Sequence, residues 1–178
     1  MHRISLRLLI TGIAVTGLFL TACSENPIEP GTGRLVDAIH TANQTAGMNV
    51  IQSVTGNGHY VDGPVDRTAT FSIRKYADER VDGWYRALGR GPGGANIRVR
   101  IECLHVVGNQ AWASGTVVAA VNPDNIGRPY SIRFVDNGQG DGAAPDEIGV
   151  GRFVGSDCAD EPDLSLRQLK MGNLQIRG

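Results

Sequence analysis

Residues 97–107, IRVRIECLHVV, change between apolar and polar side chains at nearly every step. A period of two sorts side chains onto opposite faces only when the backbone is extended, so this stretch has to be a strand. Ile97, Val99, Ile101, Cys103, His105 and Val107 fall on one face. Arg98, Arg100 and Glu102 fall on the other, joined further along by Leu104 and Val106. Apolar residues on one side and charge on the other describe a half-buried antiparallel strand. Gly108-Asn109 then turns the chain into AWASGTVVAAV, the partner strand of a hairpin.

The same texture extends both ways. NVIQSVTGNGHYV is the first strand, and its Gly56 and Gly58 mark a bulge or a close backbone approach. RTATFSIRKYA sets Ala69, Phe71 and Ile73 against Thr70, Ser72 and Arg74, and VDGWYRAL follows after the turn DER. Beyond the hairpin come YSIRFVDNG, EIGVGRFVG and a closing NLQIRG, with the polar stretch SDCADEPDLS crossing the surface between the last two. The connections are too short for the helical crossovers that parallel strands require. The expected fold over residues 48–178 is therefore all-β, a small antiparallel barrel or sandwich of about eight strands. Closing a barrel removes exposed strand edges, which favours that form.

The first 22 residues read differently. Arg3 and Arg7 precede an apolar run from Leu8 to Leu20, which is shorter than the roughly 20 apolar residues a spanning helix needs. This is the pattern of a secretory signal peptide. It ends in Leu20-Thr21-Ala22-Cys23, which resembles the bacterial lipobox, and that resemblance implies a thioether-linked lipid on Cys23 and cleavage just before it. Two or more acyl chains, of the palmitate type, anchor a protein where one chain gives marginal binding. Ser24 in place of an aspartate points to the outer membrane, periplasmic face, in a cell with two membranes. Residues 23–33 are expected to be a flexible tether and residues 34–47 a short helix or arm carrying Leu35 and Ile39.

With Cys23 assigned to lipid, the three cysteines leave a pair. In an oxidising compartment Cys103 and Cys158 are expected to form a disulfide, which would pin the acidic segment around Cys158 across one end of the barrel. The formal net charge of −1 and the lack of a basic stripe leave out a nucleic-acid partner.

Candidate sites are few. Asp136, Asn137, Asp141 and Asp146, spaced by glycines, form the best calcium candidate, because calcium takes carboxylate, amide and carbonyl oxygens. Their spacing does not fit an EF-hand, and Asn-Gly turn chemistry is the favoured reading. His59 and His105 lie on strands with too few companions for zinc, and His40 carries no signal. There is no G-x-S-x-G elbow, and GRGPGGAN lacks the Gly-Lys-Ser/Thr of a phosphate loop. Trp84 and Trp112 are read as core residues or as the lining of an internal cavity. No catalytic residues, metal or cofactor are assigned.

IRVRIECLHVVGNQAWASGTV followed by FVDNGQGDGAAPDEI resembles a group of uncharacterised exported β-domain proteins of bacteria. The shared pattern is Cys-Leu-x-Val-x-Gly-Asn-x-Ala, then Asp-Asn-Gly-x-Gly and a downstream Pro-Asp, and it covers residues 53–155. The resemblance implies an exported β-rich domain and carries over no reaction. The function expected is that of a lipid-anchored cell-envelope protein with a non-enzymatic binding or structural β domain. Its partners would be the membrane, through the lipid, and an envelope protein or apolar small molecule. The alternatives are a small barrel holding an apolar ligand in its lumen and, behind it, a hydrolase of unfamiliar geometry.

Overall fold

The computed structural model describes residues 49–91, 94, 96–140, 142–152 and 154–178. The expected signal peptide, Cys23 and the expected tether and 34–47 helix or arm lie outside the described residues. Nine antiparallel strands form one curled half-barrel sheet: β1 (Val50–Asp62), β2 (Val65–Tyr76), β3 (Val81–Arg90), β4 (Ile97–Val107), β5 (Gln110–Ala120), β6 (Pro129–Val135), β7 (Glu147–Arg152), β8 (Leu166–Gln168) and β9 (Met171–Arg177). Among the described residues there is no α-helix, only 3-10 turns at Pro123–Asn125 and Cys158–Asp160.

The strands follow chain order as a meander from β1 to β8, and β9 returns to pair with β1. β8 is antiparallel to β7 and β9 is antiparallel to β1. β8 and β9 therefore run in the same direction, as two lengths of one extended segment serving opposite edges of the sheet. The switch occurs at Leu169, whose N–H donates to Asp146 O, and Lys170, whose N–H donates to His59 O. The single closing strand expected from NLQIRG is thus half of a longer segment.

The alternation of β2 holds throughout: Val65, Arg67, Ala69, Phe71 and Ile73 point inward and are buried. In β4 it does not. A bulge between Ile101 and Cys103 makes two residues face one on β5. One extra residue reverses the parity of everything after it, so Leu104 and Val106 join the core while Cys103, His105 and Val107 turn outward. The placement of those three beside Ile101 is corrected accordingly.

The interior of the curl is filled by rings. Phe71 packs on Phe134 with centroids 4.6 Å apart, and Tyr85 stacks on Tyr130 at 5.8 Å. These contacts join β2 and β3 to β6, strands that are not neighbours in the sheet. Small inward residues make room for the rings: Ala69, Ala87, Ala111 and Ala113 are buried around them. Each buried aromatic contributes about 2–3 kcal/mol by area and pairs add about 1 kcal/mol. Gly56 and Gly58 mark close approaches, as one of the two expectations had it. A Cβ on Gly56 would run into the Asn173 carbonyl oxygen, and one on Gly58 into the Leu169 side chain.

Candidate functional site

The two assigned cysteines meet. Cys103 and Cys158 form a disulfide with Cα atoms 5.9 Å apart. Because the β4 bulge turns Cys103 outward, the bond pins residues 154–165 across the outer face of the sheet, not across its end. This strap leaves β7, reaches β4 at the disulfide, and returns to β8. Ser131 Oγ donates to Val154 O and meets Ser156 Oγ at 2.8 Å. Trp112 Nε1 donates to Pro162 O at 3.2 Å, and Arg133 donates to Asp163 at 2.9 Å while lying over the Trp112 ring. Trp112 is thereby buried, but beneath the strap and outside the core cluster. Trp84 also faces outward, since its neighbour Tyr85 is the inward residue. Neither tryptophan lines the interior.

The loop read as a calcium candidate spends its carboxylates on backbone. Asp136 accepts from Gly138 N–H through Oδ1 and from Ile176 N–H through Oδ2. Asp146 accepts from Asn137 N–H through Oδ1 and from Leu174 N–H through Oδ2. Asn137 donates to Pro145 O. Leu174 and Ile176 belong to β9, so the two aspartates satisfy the edge of β9 that faces away from β1. Asp141 lies outside the described residues. The one cluster of potential metal ligands among the described residues is Cys103, Asp157 and Cys158, whose sulfurs are in the disulfide. His59 pairs with Asp66 at 3.6 Å and His105 with Glu161 at 3.3 Å, on different strands.

The densest chemistry lies at one end of the curl, on its inner side. Asp62, the last residue of β1, accepts from Arg67 Nε at 3.1 Å and from Arg152 Nη2, and its other oxygen lies 3.7 Å from Arg167 Nη2. Arg67 and Asp62 come from the first hairpin, Arg152 and Arg167 from β7 and β8, so the cluster bridges the opening of the half-barrel. Below it, Tyr60 and Tyr85 share a hydrogen bond of 3.1 Å. Burial raises the Tyr60, Tyr85 and Tyr130 hydroxyls above the ordinary phenol value, so all three stay protonated as donors. Beside the cluster an open pocket of about 460 Å³ is lined by Asp62, Val150, Arg152, Asp163, Leu164, Ser165 and Arg167. At this mouth three guanidiniums, those of Arg67, Arg152 and Arg167, share the one carboxylate of Asp62, while Asp163, which also lines the pocket, pairs with Arg133 on the outer face. The imbalance is positive.

The sequence carried one signal of this arrangement: Arg67 falls in the inward phase of Val65, Ala69 and Phe71. The contribution of β7 and β8 carried none.

The tyrosines set a pH limit. Unfolded, each ionises near pH 10, whereas the folded state holds the proton, so their contribution is intact below pH 10 and is lost as pH rises above it. Three such groups are expected to steepen the loss to as much as about 4 kcal/mol per pH unit. Urea midpoints at pH 9, 10 and 11 read this directly, with Tyr130→Phe expected to flatten the fall by about a third. A midpoint constant over that range would refute it.

Comparison with known proteins finds no family model that matches the chain, no similar curated protein and no similar solved structure.

Proposed function

We propose that the chain is an envelope protein held to its membrane by lipid on Cys23, of the exported β-domain group it resembles, and that its β domain is a non-enzymatic module binding a small anion at the basic mouth. The observation that carries the ligand assignment is that three guanidiniums share the single carboxylate of Asp62 beside the open 460 Å³ pocket, and two of them, Arg152 and Arg167, line it. Arginine forks match carboxylate and phosphate oxygens geometrically, and guanidinium stays charged at any physiological pH. The alternative of an apolar ligand in the lumen is weakened by the ring packing, which fills the space such a carrier needs.

Calorimetric titration of the lipid-free domain with citrate, inorganic phosphate and glucose tests the mouth. Binding of citrate or phosphate that weakens with salt and is lost in Arg152→Gln is the expected result; equal response to glucose, or none to either anion, overturns it. For the anchor, Cys23→Ala is expected to leave uncleaved precursor or soluble protein. Processing and fractionation like the parent chain would refute that part alone.

A further inference from the structure

The outer face of β3, β4 and β5, at the same end of the sheet as the mouth but on the opposite side, carries a second site that shares no residue with it and is independent of the reading above. Trp84, Arg86 and Leu88 face outward from β3. Arg98 stands directly across from Arg86 on one side and from Ala119 on the other. With Ile97, Ala120 and Val121 they line a groove of about 580 Å³. That volume suits a small-molecule ligand.

Two features of the groove ask for an occupant. Like charges directly opposite in a sheet destabilise it. Nearby Arg100 is neutralised by Glu102 at 2.7 Å, but among the described residues no carboxylate pairs with Arg86 or Arg98. The rest of the lining is mostly apolar: Val121 is 70% exposed, Trp84 and Leu88 are half-buried, and Ile97 closes the floor from the core side. Trp84, Arg86, Leu88 and Arg98 lie outside the core cluster, which is on the other face.

We propose that this groove binds a single-chain anionic lipid. Its phosphate or carboxylate head bridges the Arg86 and Arg98 guanidiniums, and its first methylenes lie along Trp84, Leu88 and Val121. One head placed between two cations removes their mutual repulsion, and the chain covers the apolar floor. An acidic peptide would satisfy the arginines and leave that floor exposed to its own backbone. A neutral lipid would leave the arginines facing each other.

Calorimetry with dodecyl phosphate below its micellar concentration tests the site, using the chain from residue 24 onward, which keeps the whole sheet and its core. The titration is run in the Arg152→Gln background, which disables the mouth. Expected is one binding event, weakened at least tenfold in Arg86→Gln/Arg98→Gln and retained in the outer-face control Arg74→Gln, which stands across from Asp82 further along β2. Arg98→Gln alone, a single exposed change, is expected to weaken it several-fold. Inorganic phosphate and dodecyl maltoside are each expected to bind at least tenfold more weakly than dodecyl phosphate. Equal affinity in the double variant overturns the proposal. So does dodecyl maltoside matching dodecyl phosphate, which would mean an apolar patch only, and so does hexaglutamate binding more tightly, which would mean an acidic protein partner.

Discussion

Asp62→Asn is expected to destabilise the domain by about 3–5 kcal/mol, the usual cost of removing one partner from a buried ion pair. The size follows from what the change leaves behind. Arg67 is only 4% exposed, and Asp62 is its sole acidic partner among the described residues. A guanidinium cannot lose its proton, so it stays charged in a site that no longer balances it. Arg152 and Arg167 would then repel it across the opening that Asp62 now ties shut. Arg167→Gln gives the contrast, because its side chain is 40% exposed and its approach to Asp62 is 3.7 Å. Exposed pairs contribute at most about 1 kcal/mol. Urea unfolding of both variants separates the two effects, and an Asp62→Asn as mild as Arg167→Gln would show that the cluster does not hold the end of the curl. The same variant bears on the ligand. With its internal carboxylate gone, the mouth is expected to gain more stability from added citrate than the parent does.

Removing the disulfide is expected to cost about 2–4 kcal/mol, or roughly 10 °C in melting temperature. Cys103 and Cys158 are 55 residues apart in sequence, so the bond restrains a long loop in the unfolded chain. In the folded protein it holds a strap otherwise anchored by a few polar contacts: Ser131 at one end, Arg133 and Trp112 towards the other, and His105 on Glu161 between them. Cys103→Ser/Cys158→Ser avoids a stray thiol. Its strap is expected to loosen, so that water reaches Trp112 and its fluorescence shifts to longer wavelength. An unchanged midpoint together with an unchanged spectrum would mean that the polar contacts alone secure the strap.

The sheet was legible wherever local alternation decides burial. In β2 every inward residue from Ala69 to Ile73 could be read from the period alone. β4 was legible as a strand, but its faces were not. The bulge after Ile101 depends on how β4 registers with β5, and a sequence pattern carries no register. That one residue decides where the strap crosses, because it turns Cys103 outward. Cysteine parity could pair Cys103 with Cys158 but could not say on which side of the sheet they meet. β8 is three residues long and gives no periodicity to detect. The roles of Asp136 and Asp146 were hidden for another reason. Their partners, Ile176 and Leu174, are distant in sequence, and a carboxylate bound to a strand amide looks in sequence like any acid in a loop. The mouth gathers side chains from both ends of the domain and so has no motif.

The pairing of β9 with β1 also sets an order in time. Val54 of β1 finds its partner Ile176 only after every other strand has been made. Contacts so far apart in sequence form slowly. Until then β1 presents a bare edge, with Val50 and Ile51 exposed near its start, and a bare edge is where one chain pairs with another. The delay is a hazard. The interval before the last strand docks is when a holding chaperone or an early strap disulfide would most change the yield of folded protein.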